Sequence, residues 1–243
     1  MKNTVKITRI LILALVFPFF FVSCDKDDDL KGGLSIKFKA TENTLKSSPA
    51  DNIVIESFVI NIGEIELEFD DNDPLFETDS IASDIELEGP FEVDLMSSGN
   101  PLSTTIVQNV ELPQAAYDEI EFKFRESENP ISEMLGKSIL VKGTINGTPF
   151  IFWTDEEIEV EIEFENNVLL EEAEMAVITV SFDILALFDP AQGGIDISGA
   201  TDGNGNGIIE IYPEDPDGNE DLADQLWDKL EDIIEAFEDQ FDN

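Results

Sequence analysis

The chain has 243 residues, with 55 Asp and Glu against 13 Lys and Arg, and a formal net charge of −42. A field of that sign repels nucleic acid and anionic lipid and favours divalent cations, cationic partners or a saline medium. There is no His and only one Cys, which excludes Ser-His-Asp and Cys-His catalysis, His-ligated zinc and an internal disulfide. The 18 Phe and many Ile and Val supply a core, so the acidity does not imply disorder.

Lys2, Lys6 and Arg9 precede a continuous apolar run over 10–22, and the segment ends in "FVSC". At roughly 13 residues the run is too short for a membrane span, and residues 1–23 read as a secretory signal peptide. The small residue before Cys24 resembles the lipobox of bacterial lipoproteins, with Phe21 standing where Leu is usual. That resemblance implies lipidation of the Cys24 thiol. The "DKDDD" that follows is similar to the acidic export signal of Bacteroidota surface lipoproteins, and residues 24–33 read as an acidic tether. A diacylated or triacylated Cys supplies more than one buried chain, enough for stable anchoring in a membrane. Residues 1–23 hold three of the 13 basic residues and no acid, so the remainder carries 10 against 55, a net −45.

Residues 34–188 read as β throughout. "LSIKFKA" alternates Leu34, Ile36, Phe38 and Ala40. In "SFVINIGEIELEF" the apolar set is Phe58, Ile60 and Ile62, then Ile65, Leu67 and Phe69. The parity switches across Gly63, which predicts a β-bulge, because one extra residue turns every later side chain to the other face. Residues 70–84 form a long acidic connection whose "DSI" matches the Asp-Ser/Thr-aliphatic motif for O-glycosylation in Bacteroidota, with Ser80 as acceptor. "IELEGPFEVDL", "YDEIEFKF", "EIEVEIEFE" and "AVITVSFDI" continue the alternation, the last through Ile184. "SILVKGTINGTPFIFW" is two strands around Asn146-Gly147, a strong hairpin signal, and residues 125–137 are a loop with room for one helical turn.

Short alternating strands with no helices between them predict an all-β fold, an antiparallel β-sandwich. Glu on the outer face of several strands makes those faces wet and acidic. Such ladders admit a calcium-binding surface, although a solvated face that deters edge pairing explains them without an ion.

Beyond Phe188 the composition turns Gly-rich and polar, and residues 189–243 form a separate segment. Its end is an amphipathic helix, with Leu222, Leu226, Leu230, Ile233, Ile234, Phe237 and Phe241 on one stripe and Trp227 beside it. Asn219 or Asp221 can cap the start. The stripe needs a surface, by default the chain's own β-domain and otherwise a partner or a membrane, although the acidic polar face argues against anionic membranes.

The stretch before the helix, "DGNGNGIIEIYPEDPDGN", has the composition of a calcium loop. Ca²⁺ takes six to eight oxygens on a tightly turning backbone. Asp202, Asn204 and Asn206 stand at positions 1, 3 and 5 of a D-x-N-x-N-G string, Ile208 offers a carbonyl at position 7, and Glu210 falls at position 9. This resembles the first half of an EF-hand or dockerin-type loop, then departs: position 12 is Pro213, and Ile209 and Ile211 alternate around Glu210 instead of opening a helix. Asp215, Asp217, Asn219 and Asp221 follow at spacing two; a loop-strand-loop hairpin would bring them back to complete the site, or they would hold an ion of their own. Gly/Asn/Asp turn chemistry is the competing explanation.

"IVIESFVINIGEIEL", "FEVDLMSS" and "VELPQAAYDEIEFKF" together resemble a domain of unknown function common in Bacteroidota lipoproteins, over roughly 34–188. The resemblance implies a transthyretin-like or Ig-like β-sandwich at the cell surface and carries over no catalytic residue. The expectation is therefore a non-enzymatic, calcium-stabilised module that binds extracellular glycan or protein. A glycan-active enzyme using a carboxylate pair, or a structural subunit of a surface assembly, remains the alternative.

Overall fold

The computed structural model describes residues 31–40, 53–70, 84–113, 115–169 and 175–238. The expected signal peptide, Cys24, Ser80 and Phe241 lie outside them.

Among the described residues eleven strands make two sheets. In chain order they are β1 (Lys31–Ala40), β2 (Ile53–Phe69), β3 (Ile85–Ser97), β4 (Asn100–Pro101), β5 (Ser103–Pro113), β6 (Ala116–Phe124), β7 (Ile139–Ile145), β8 (Thr148–Thr154), β9 (Ile158–Leu169), β10 (Met175–Phe182) and β11 (Ile209–Ile211). Helix α1 spans Ile184–Phe188 and α2 spans Glu220–Glu238. The small sheet has the order β10-β1-β5. The large one runs β11-β8-β7-β2-β3-β4, with β6 on β2 and β9 on β6. The all-β, sandwich-like architecture expected from the alternation is present. Among the described residues no helix is long and apolar enough to cross a membrane.

The core lies between the sheets. Phe38 of the small sheet meets Phe122 of the large one edge to face at 5.2 Å, and Phe182 meets Phe124 at 6.2 Å. Burying side chains of this size contributes about 2–3 kcal/mol each. Tyr117 opens β6 beneath a bond from its hydroxyl to the Pro113 carbonyl, 3.0 Å, which fastens the passage from one sheet to the other. That bond explains the Leu-Pro-turn-Tyr string.

β2 is the hub. One edge pairs with β3; the other pairs first with β7 and then with β6. The bulge expected at Gly63 is there: the register shifts between Ile62 and Glu64 against both β3 and β6. A side chain at Gly63 would occupy the space taken by the Arg125 stem. A second shift, between Ile55 and Ser57 against β7, was not expected. It moves the buried set from Ile53 and Ile55 to Phe58 and Ile60. The Asn146-Gly147 hairpin joins β7 to β8, with φ of 52° and 80° at the two turn residues, the left-handed pair that a two-residue turn requires.

Three details differ from expectation. β1 begins at Lys31, because Lys31 to Gly33 already face Pro113 to Glu111 of β5, so the strand takes in the last three residues of the expected tether. β10 ends at Phe182, and Ile184, buried, opens α1. Residues 125–137 hold turns and a Ser127–Leu135 bridge in place of a helical turn. Within the C-terminal segment, β11 adds a strand to the large sheet beside β8. Two pairings, β1 with β10 and β11 with β8, are parallel, and the rest are antiparallel. Alternation specifies which face is buried and is blind to the direction of the neighbour.

Candidate metal centre

Ile209 and Ile211 are buried on β11, which pairs with Phe150 to Phe152 of β8. Their burial turns Glu210 outward and folds the polar residues on either side into two facing loops, the loop-strand-loop expected from the sequence. Ala223, Leu226 and Leu230 are buried on α2, which packs against β8, β9, β11 and α1. The described part of the helix therefore docks on its own chain.

The first loop winds around Asp202. Its Oδ1 accepts from the backbone N–H groups of Gly205 (2.8 Å) and Asn206 (3.0 Å), and its Oδ2 from Gly207 (2.8 Å). Asn204 Oδ1 accepts from Asn206 N at 2.9 Å and Asn206 Oδ1 from Ile208 N at 2.8 Å. The two amides then donate to one oxygen, Glu210 Oε2, at 2.7 and 3.1 Å. Ile208 itself is 43% exposed.

Asp217 joins the loops. Its Oδ1 accepts from Asn204 N at 2.9 Å and its Oδ2 from Glu210 N at 2.8 Å. Gly203 permits this approach, since a Cβ there would collide with the Asp217 carbonyl. Asp215 Oδ1 accepts from Asp217 N (2.8 Å) and Asn219 N (3.1 Å). Asp215 Oδ2 is buried and has no hydrogen-bond donor among the described residues.

Asn219 has a different task. Its Oδ1 accepts from Thr201 N at 3.1 Å, and its Nδ2 donates to the carbonyls of Thr201 (2.9 Å) and Glu210 (2.8 Å). The first turn of α2 is served instead by the Asn219 backbone carbonyl, which accepts from Leu222 and Ala223. The side chain is a staple between loop, strand and helix, and both its polar atoms are taken.

Nearby, Trp153 stacks on Tyr212 at 4.9 Å, and Lys137 Nζ lies 5.5 Å from the Trp153 ring. The Tyr212 hydroxyl donates to Glu210 Oε1 at 2.7 Å. Burial, then this bond and the Glu210 charge, push the phenol up to about 12.

The fold thus brings six of the expected residues, Asp202, Asn204, Asn206, Glu210, Asp215 and Asp217, into one hydrogen-bonded unit. It does not make them a tight carboxylate cluster. Among the described residues, only Glu121, Glu159 and Glu161 bring one carboxylate oxygen each within 4.8 Å of one another. Strict Glu alternation in "EIEFKF" and "EIEVEIEFE" was the signal for that group; its missing part was the pairing of β6 with β9, which sets Glu121 opposite Glu161 and Lys123 opposite Glu159. Lys123 Nζ sits 2.9 Å from Glu64 Oε1 and 2.9 Å from Glu121 Oε1. A lysine already fills the role of cation there. Hydrogen bonds to Glu64 and Glu121 hold its pKa above the usual lysine range. Beyond its reach, burial and then Glu68, Glu161 and Glu163 push Glu119 up to about 7.

Comparison of the chain with protein families, with curated proteins and with solved structures finds no match.

Proposed function

We propose that this chain is a non-enzymatic, lipid-anchored surface lipoprotein, in which Ca²⁺ fastens the C-terminal helix to a β-sandwich that binds a partner outside the cell. The observation that carries the calcium reading is Asp215 Oδ2, a carboxylate oxygen that is buried with no donor among the described residues. An unsatisfied buried polar group costs about 1–3 kcal/mol, and more when charged. A cation at that oxygen removes the cost.

The donor chemistry fits a hard cation of modest affinity. Asp202, Asp215, Asp217 and Glu210 offer carboxylates, and each can accept an N–H and still present a lone pair. Asn204 and Asn206 now turn their N–H groups to Glu210, so they ligate only after their amides rotate. Asn219 leaves the expected ligand set, because its side chain is committed to Thr201 and Glu210. Millimolar affinity suits extracellular calcium. The anchor rests on Cys24, its preceding apolar run and the acidic residues after it.

The test is thermal unfolding of residues 25–243 in calcium, in chelator and in magnesium at matched ionic strength, with Asp215→Asn alongside. Tenfold excess over Kd raises the melting temperature by roughly 3–5 °C in calcium alone, and Asp215→Asn abolishes the rise. An equal rise in magnesium, or one retained in the variant, would refute the site. Incorporation of labelled palmitate by the full chain, lost in Cys24→Ala, tests the anchor separately.

A further inference from the structure

A second concave site lies where β2 bulges. It has a volume of about 450 Å³ and is lined by Asn61, Gly63, Glu88, Gly89, Pro90, Arg125, Glu126, Glu128 and Glu157. That is the size of a small-molecule site. β6 and β7 part company on β2 at this point, and Asn61 bridges the gap by donating from Nδ2 to the Arg125 carbonyl at 2.8 Å. Asn61 is 1% exposed, and its Oδ1 has no donor among the described residues. The lining therefore includes a residue whose side chain carries a buried, unpartnered acceptor.

The wall is built. Ser127 is 1% exposed; its Oγ donates to Glu92 Oε1 at 2.7 Å, and its backbone pairs with Lys137 and Gly136. Ser132 Oγ donates to Glu92 Oε2 at 2.6 Å. With Ser127 held inward, its two neighbours Glu126 and Glu128 face the pocket. Arg125, the one cation in the lining, is spoken for: Nη2 donates to Gly63 O at 3.0 Å and to Glu88 Oε2 at 3.3 Å. Glu126, Glu128 and Glu157 meet no cation among the described residues.

We propose that this pocket binds a primary alkylammonium group. The free lining atoms are acceptors, so the ligand must be a donor, and three unpaired carboxylates require it to be cationic. A bare metal ion is disfavoured because these carboxylates do not converge as Glu121, Glu159 and Glu161 do. Aromatic side chains, which cage quaternary ammonium groups and platform sugars, are missing from the lining. An ammonium has three N–H donors that can span several acceptors at once, one of them Asn61 Oδ1. The source is a free polyamine or a lysine side chain of a protein partner. The pocket contains no residue of 202–219, and binding there needs neither the anchor nor the ion.

Isothermal titration at physiological ionic strength tests it, with spermidine and with the blocked tripeptide Gly-Lys-Gly and its ε-acetylated form as probes. The expected result is saturable 1:1 binding of at least one amine, weakened about tenfold or more by Glu126→Gln with Glu128→Gln, since each charge-assisted bond is worth roughly that factor. Both positions are exposed and carry no structural bond, so the fold survives, as circular dichroism will check. Glu56→Gln with Asp94→Asn removes the same charge from exposed positions outside the lining and leaves affinity unchanged. Binding of the tripeptide, lost on acetylation, assigns a lysine; binding of spermidine alone assigns a free polyamine. No saturable binding by any amine, or equal weakening in the two double variants, overturns the proposal.

Discussion

Asn219 is the position where local rule and tertiary contact make opposite forecasts. Asn and Asp are equally good N-caps, and Asp adds a favourable charge at the helix N-terminus. If Asn219 served only to cap α2, Asn219→Asp would be neutral or better. In the structure its Nδ2 supplies both N–H groups received by the carbonyls of Thr201 and Glu210. Asp has no such donor and sets a carboxylate against two carbonyl oxygens. Asn219→Ala loses three hydrogen bonds at a site 6% exposed. At about 1 kcal/mol each, discounted because Thr201 can turn to water, the loss is roughly 2–3 kcal/mol. For a domain of this size that is about 5–10 °C in melting temperature. Asn219→Asp should cost as much or more. Urea denaturation, in calcium and separately in chelator, reads both variants. A neutral Asn219→Asp would refute the staple and restore the cap. The Ala variant should keep its calcium response, because Asn219 is not counted among the ligands.

Two further outcomes follow from the acidic face and the bulge. Glu119, raised to about 7 in the folded state, binds a proton more tightly there than in the unfolded chain. Its contribution is complete below the ordinary carboxylate range and is lost as pH rises through about 7. Stability from Glu119 should thus fall between pH 5 and pH 8, and Glu119→Gln should flatten that slope in denaturation curves; an unchanged slope would count against it. Gly63→Ala displaces Arg125 from the Gly63 carbonyl and from Glu88, at a cost of about 1–2 kcal/mol. In an Arg125→Ala background most of that cost should vanish, and full additivity in the double-mutant cycle would contradict the crossing geometry.

The strands and their buried faces were legible because alternation is a local signal. Gly63 announced its bulge through the switch from Ile62 to Ile65, and Asn146-Gly147 announced its hairpin. The earlier shift after Ile55 was equally written in Ile53, Ile55 and Phe58, but three apolar residues without a glycine do not stand out. What stayed hidden is non-local. No alternation says that β10 returns beside β1 in parallel, or that β6 and β7 share one edge of β2. The candidate metal loop was visible as a string, yet the roles within it were not: Asp217 as the crosslink, Asp215 with its lone oxygen and Asn219 as staple depend on which backbone groups the fold brings within 3 Å. The Asn61 pocket had no signal at all, because it exists only where two strands diverge.

The placement of β1 also bears on mechanics. It is the middle strand of the small sheet, flanked by β10 opposite Gly33 to Ala40 and by β5 opposite Lys31 to Lys39. A pull delivered through the residues before Lys31 runs along the strand axis. It loads both ladders in shear, so their bonds must yield together, whereas a pull across an edge strand would open one ladder a bond at a time. Under the proposed anchor, drag on the body of the protein would load a strand that is paired along both edges.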